Sequence, residues 1–270
     1  MTHADAFLQD ILAHPDDDTP RLIFADWLEE QGDAASAARA EFIRVQCALA
    51  GGELPPQRRA ELGRREKQIL DEWDKEWVRP IRRLVKNWEF HRGFIEDVGM
   101  LTDRFLTHAS RLFCRLPIKH LRLWPRVYSQ SFPLVERINM AAVADNEYLC
   151  CLRSLDLSEN QLESRDVRAL VVSEHLTRLT ALDLSHNRIG DGGIRALAGA
   201  PLLGQLECLD LCGNDVGAGG VRVLAHALEK LERSPEGLRL QRLHLFAHNL
   251  SAAGQRVIAD SPLLRELVRG

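Results

Sequence analysis

Leucines recur in one frame along the second half of this 270-residue chain. Leu152, Leu155, Leu157, Asn160 and Leu162 follow the spacing L-x-x-L-x-L-x-x-N-x-L. The frame returns as Leu179, Leu182, Leu184, Asn187 and Ile189, and again as Leu206, Leu209, Leu211, Asn214 and Val216, each copy 27 residues after the last. Three copies at one fixed period define a repeat architecture, in which neighbouring units bury one another's apolar faces. A further frame, Leu240, Leu243, Leu245 and Leu250, has His248 in the asparagine position and Asn249 displaced by one. Leu211 and Leu245 lie 34 residues apart; the added length falls in HALEKLERSPEGLRL, which predicts a longer helix and a turn at Ser234–Gly237. Upstream, Ile118, Leu121 and Leu123 restore the frame with Arg126 in the asparagine position. SPLLRELVRG is expected to cap the C-terminal end.

The spacing dictates the local structure. Each L-x-L triplet makes a short strand with both leucines inward, and strands of successive units pair in parallel. Asn160, Asn187 and Asn214 turn the chain, their buried amides bonding backbone that is otherwise unpaired. Helices such as Gly193–Ala198 and Gly220–Leu228 return along the other side. Helices are wider than strands, so the stack should curve with the sheet on its concave face. A period of 27 residues containing NRIGDGGIRALA resembles the ribonuclease-inhibitor class of leucine-rich repeats, over about residues 120–260. The resemblance implies an α/β solenoid, with parallel strands on the concave face, helices on the convex face and a binding role. It does not identify the partner, because one fold hosts many functions.

The first 50 residues read differently, as a small all-α module. Thr2 caps a first helix to Ala13, with Phe7, Leu8, Ile11 and Leu12 on one face. Pro15 breaks the chain at His14–Asp18. Thr19 is read as the cap of a second helix with Pro20 at its first position. Gly32 ends that helix, and Asp33 opens a third that runs to Gly51 and Gly52. The strings HPDDDTPRLIFADWLEEQGD and RAEFIRVQCAL resemble the repeat-companion domain of planctomycete-type bacteria, over about residues 4–50. The resemblance implies a bacterial protein and an association with repeats, and it carries no activity. Residues 51–87 read as a charged helical connector that Pro80 kinks or ends. Residues 88–150 read as degenerate N-terminal capping repeats, with a strand around Phe94, Glu96 and Val98 and a helix capped by Thr102. The regular repeats with their C-terminal cap occupy residues 151–270.

The frame also names the outward residues. Between the paired leucines lie Arg122, Asp156, Asp183, Asp210 and His244, expected as one column across the sheet. Beside them run His120, Ser154, Ala181, Cys208 and Arg242. Trp124 and Phe246 stand at the two ends as aromatic anchors. The expected site is this surface, its acidic centre receiving a basic group of a protein partner. A row of solvated aspartates is the competing explanation.

Composition bounds the remaining classes. A net charge of −4 and 27% charged residues give no general pull toward nucleic acid or anionic membrane. No apolar run reaches membrane-spanning length, and the N-terminal segment lacks a signal-peptide profile. The six cysteines show no C-x-x-C pair and read as reduced thiols, so a cytoplasmic location is expected. No P-loop, G-x-S-x-G, H-E-x-x-H or dinucleotide fingerprint appears, and no cofactor or metal is expected. His14, Asp16, Asp17 and Asp18 do not follow an EF-hand pattern and read as an acidic helix start. The leading expectation is a non-enzymatic interaction scaffold, or an adaptor using both halves. The alternative is an enzyme or metal-dependent sensor with its site around His14–Asp18 and Trp27.

Overall fold

The computed structural model describes residues 3–126, 137–245 and 250–268. It divides into two compact units, Met1–Met100 with His108–Lys119, and Leu101–Thr107 with His120–Gly270. Both helices and a parallel sheet are present, giving a mixed α/β protein.

The first unit begins with α1 (His3–Ala13), α2 (Thr19–Glu29), α3 (Ala34–Ala50) and α4 (Pro56–Val78); Thr2 lies outside the described residues. The cap of α2 differs from the expectation. Asp18 occupies the cap position and Thr19 is already helical, because the Asp17 carboxylate accepts the Thr19 N–H at 2.8 Å and turns the chain one residue earlier. Asp33 does cap α3, accepting from the Ser36 amide at 2.9 Å. Helix α4 stops at Val78, two residues before Pro80. The helical reading to Asn87 is thus too long, since Val85–His91 form β1.

Strand β1 pairs antiparallel with β2 (Phe94–Leu101), a hairpin that the strand reading around Phe94 did not include. Its turn needs Gly93, at φ +84°, where a Cβ would lie 2.4 Å from Ile43 Cγ1 on α3. Gln46 of α3 holds the turn: its Oε1 accepts the Gly93 N–H at 2.7 Å and its Nε2 donates to Phe90 O at 2.9 Å. Ile11, Phe24, Ala25, Leu28, Ala40, Ile43, Cys47 and Phe94 form one apolar cluster here. A second, aromatic group joins Phe42 to Trp77 and Phe90, with ring centroids 4.9 and 5.4 Å apart. The Arg39 guanidinium lies 4.5 Å from the Trp77 centroid, and burial pulls its pKa down.

Helix α5 (Thr102–Phe113) follows. Thr102 is its first residue, and its hydroxyl donates to Trp124 O at 3.0 Å instead of capping amides. In the second unit β3 (His120–Trp124), α6 (Met140–Ala144), β4 (Ser154–Asp156), α7 (Ser164–Val171), β5 (Ala181–Asp183), α8 (Gly190–Ala198), α9 (Pro201–Gln205), β6 (Cys208–Asp210), α10 (Ala218–Glu232), β7 (Arg242–His244), α11 (Ala252–Asp260) and α12 (Pro262–Leu267) alternate. Strands β3 to β7 pair in parallel, with Leu121, Leu155, Leu182, Leu209 and Leu243 in direct register. All five leucines are buried, each worth roughly 1.5–3 kcal/mol relative to exposure. The long helix expected after Asn214 is α10, and Gly237 N–H closes the following turn on Ser234 O at 3.0 Å.

The three asparagines hydrogen-bond backbone around their turns. Asn187 donates Nδ2 to Leu157 O, Leu184 O and Ser185 O. Its Oδ1 accepts the amides of Asn160 at 3.0 Å and Leu162 at 2.9 Å. Asn214 repeats the pattern, with Oδ1 facing the Ile189 amide at 3.4 Å and Nδ2 2.7 Å from Leu184 O. Each side chain therefore stitches its own turn to the preceding repeat. Asn160 donates to Leu123 O and Ser158 O, while its Oδ1 has no partner among the described residues. Asp191 makes another link between repeats, accepting the Gly217 amide at 2.6 Å. A Cβ at Gly220 would sit 2.6 Å from that carboxylate, which explains the glycines opening α10.

Candidate functional site

Because the middle leucine of each strand points inward, the residues on either side of it point away. The parallel register then sets Arg122, Asp156, Asp183, Asp210 and His244 next to one another. His120, Ser154, Ala181, Cys208 and Arg242 form the flanking row in the same register. Trp124 is half-buried at the end of β3, and Phe246 lies outside the described residues.

The aspartates serve the turns as well as the surface. In each, Oδ1 accepts the backbone amide two residues on: Ser158 at 2.8 Å, Ser185 at 2.8 Å and Cys212 at 2.9 Å. The second oxygen separates them. Asp156 Oδ2 lies 3.1 Å from Arg122 Nε, an ion pair by distance whose Nε is not aligned for a hydrogen bond. Arg122 also donates Nη2 to Ser158 Oγ at 3.3 Å, lies 3.6 Å from Glu159 Oε1, and stacks 4.9 Å from the Trp124 centroid. Asp210 Oδ2 lies 3.3 Å from His244 Nδ1. Asp183 Oδ2 carries no hydrogen bond or ion pair among the described residues, so the open negative charge of the column is concentrated there. A depression of about 280 Å³ at the Asp210–His244 pair is lined by Ser185, His186, Asp210, Cys212, His244, Leu245 and Val268.

The acidic turn at His14–Asp18 has occupants from within the chain. Pro15 O accepts from Arg21 Nη2 at 2.9 Å, Arg92 Nη2 at 3.0 Å and Lys119 Nζ at 2.8 Å. Asp16 pairs with Lys119 at 3.0 Å and Asp18 with Arg92 at 3.4 Å. His14 faces Asp10 at 2.9 Å. The same three cations converge on one buried carboxylate, Glu96, with Oε1 2.6 Å from Arg21 and 3.4 Å from Arg92, and Oε2 3.1 Å from Lys119. Arg21 is fully buried and Glu96 nearly so. Trp27 belongs to the apolar packing, its ring stacked 5.7 Å from Phe24.

This network was not visible in the sequence. Glu96 occupied an ordinary position in an alternating strand, and Arg21 and Glu96 are 75 residues apart. The only available signal was a glutamate flanked by Phe94, Ile95 and Val98, a polar residue inside an apolar segment. Nearby, Cys47 is buried and its thiol is pushed up to about 12 by that burial. All six cysteines are free, the Cys150 and Cys151 sulfurs lying 4.0 Å apart. No helix among the described residues is long and apolar enough to cross a membrane.

Two stretches, residues 148–171 and 175–198, match the family model described as Leucine Rich repeat. They correspond to β4 with α7 and β5 with α8, the two units sharing the Asn187 link. The chain has no match among curated proteins.

Proposed function

We propose that the protein is a non-enzymatic interaction scaffold whose strand face, centred on Asp183, receives a basic group of a protein partner. Stacked repeats are suited to this because they build one extended surface from many short strands. The observation that carries the reading is the contrast within the column. Asp156 and Asp210 already have Arg122 and His244 beside them, whereas Asp183 has a bond to only one carboxylate oxygen among the described residues. The Trp124–Arg122 stack on β3, and His244 and Arg242 on β7, stand two strands to either side of that charge and supply the contacts that choose among partners.

In the wider reading, the repeats form a solenoid of the ribonuclease-inhibitor class, with the strand face concave. Residues 1–50 act as the companion module and 151–270 as the regular array with its C-terminal cap. The free thiols suit a reducing cytoplasm. The cations gathered at His14–Asp18 support a structural role for that turn.

Asp183→Asn tests the proposal directly, because an amide oxygen still accepts the Ser185 N–H while the charge is gone. Full-length wild type, Asp183→Asn and Asp183→Arg are used as baits in a bacterial lysate and retained proteins are quantified. Loss of a charge-assisted contact of about 1.5–3 kcal/mol predicts roughly 10–150-fold weaker retention in Asp183→Asn. Equal retention by all three baits at matched thermal stability refutes the proposal.

A further inference from the structure

The hairpin carries a cluster that neither the strand face nor the buried network uses. The register places Glu89 of β1 directly opposite Asp97 of β2. His91, two residues beyond Glu89, lies on the same face. Its Nε2 is 3.1 Å from Asp97 Oδ2 and 3.9 Å from Glu89 Oε2. One donor atom from each of the three residues falls within a mutual distance of 4.8 Å.

Two independent features give this arrangement meaning. Like charges directly across an antiparallel pair disfavour the pairing, yet Glu89 and Asp97 occupy those positions in a hairpin fixed at its turn by Gln46 and Gly93. The protonated imidazole of His91 relieves this conflict, and where the imidazole is neutral a cation held by all three side chains takes its place. The spacing also suits a metal: bonds of about 2.0–2.2 Å set the donors of a tetrahedral zinc ion about 3.3–3.6 Å apart. The two imidazole–carboxylate distances bracket that edge, and the third, between the carboxylates, is no more than 4.8 Å.

The geometry points to a divalent-metal site formed by Glu89, His91 and Asp97, taking zinc or a cation of similar character. One imidazole nitrogen and two carboxylate oxygens form the donor set of a borderline metal; calcium prefers oxygen alone, and magnesium retains its waters. Two carboxylates balance a 2+ charge. Three protein ligands leave at least one position to water, and the half-exposed histidine and exposed Glu89 keep it open to solvent. Bound there, the ion cross-links β1 to β2 at the level of Glu89 and Asp97.

The test uses the full chain, stripped with chelator and kept reduced, and titrated with zinc by calorimetry. Cobalt absorbance is the second readout, because thiolate ligands add intense near-ultraviolet charge-transfer bands that nitrogen and oxygen donors lack. One equivalent of zinc is expected to bind to the wild type. Affinity should fall at least about tenfold in His91→Ala and in Glu89→Gln, since losing even a residue that only supports a ligand costs about 10–100-fold. Glu89 is exposed, so the second variant keeps the test valid if His91→Ala unfolds. Cys150→Ser/Cys151→Ser should bind as the wild type does, and the cobalt complex should show visible bands alone. No zinc uptake, unchanged affinity in both hairpin variants, or a thiolate band lost in the cysteine variant overturns the assignment.

Discussion

Neutralising Glu96 should cost more stability than any surface charge in the protein. Its carboxylate faces Arg21, Arg92 and Lys119, whose side chains are 0%, 17% and 7% exposed. Glu96→Gln preserves the volume and one acceptor but removes the charge. At an effective dielectric of 20, a pair of charges about 4 Å apart interacts by about 4 kcal/mol. Arg21 retains Pro15 O and Arg92 O as acceptors, and Lys119 retains Asp16, which offsets part of the loss. The net cost is set at roughly 3–5 kcal/mol, the range for breaking a buried ion pair by removing one partner. By contrast, Asp26→Asn in the exposed Arg44 pair should change stability by at most about 1 kcal/mol. Urea unfolding followed by tryptophan fluorescence reads the difference. Trp27, Trp73, Trp77 and Trp88 lie in the first unit and Trp124 in the second, so the signal is weighted toward the affected unit. With a slope near 2 kcal/mol/M, the Glu96→Gln midpoint should fall by about 1.5–2.5 M. A drop under about 0.5 M at unchanged slope would show that Glu96 does not hold these cations together.

Asn187→Ala leaves the Asn160 and Leu162 amides without their acceptor and should cost at least about 3 kcal/mol; Asn160→Ala, whose Oδ1 bonds nothing described, should cost at least about 1 kcal/mol less, a gap measurable by parallel denaturant titrations. Cys47, buried with its thiol near 12, should resist iodoacetamide at pH 8 in the folded protein while exposed Cys150 is alkylated; mass spectrometry of the labelled peptides decides, and fast labelling of Cys47 contradicts the packing. Asp33 is held below its ordinary 3.8 by the Ser36 hydrogen bonds. A depressed carboxylate stabilises the fold above its unfolded value and loses that contribution as pH falls through the folded one. Protection of the Ser36 amide should therefore drop on acidification below about pH 4, and Asp33→Asn should flatten that dependence, because an amide oxygen caps without titrating.

The repeats were legible because their information is local and periodic. Leu155, Leu182 and Leu209 set the register, and the register puts Asp156, Asp183 and Asp210 side by side without further assumption. What periodicity could not show is how the column's charges are shared, since Arg122 against Asp156 and His244 against Asp210 depend on side-chain reach. The first unit was legible in its helices and opaque in its joints. Val85–His91 follows a charged helix and has only a weak exposed–buried alternation, so its first residues, to Asn87, read as helix. Arg92 is close to Glu96 in sequence, but Arg21 is 75 residues away and Lys119 lies 104 residues from its acceptor Pro15. No spacing rule links a proline carbonyl to a lysine so far away. Gln46 and Gly93, 47 residues apart, likewise declare their pairing only when Ile43 is seen to leave no room for a Cβ.

The asparagine ladder gives the array a direction in time. Asn187 satisfies amides belonging to the repeat before it, and Asn214 does the same for the repeat of Asn187. A ribosome delivers the chain from the other end, so each turn emerges with buried donors that only the next repeat can accept. Closure must run one repeat behind synthesis, and a nascent chain stalled between Asn187 and Asn214 would display a completed strand above an unfinished turn.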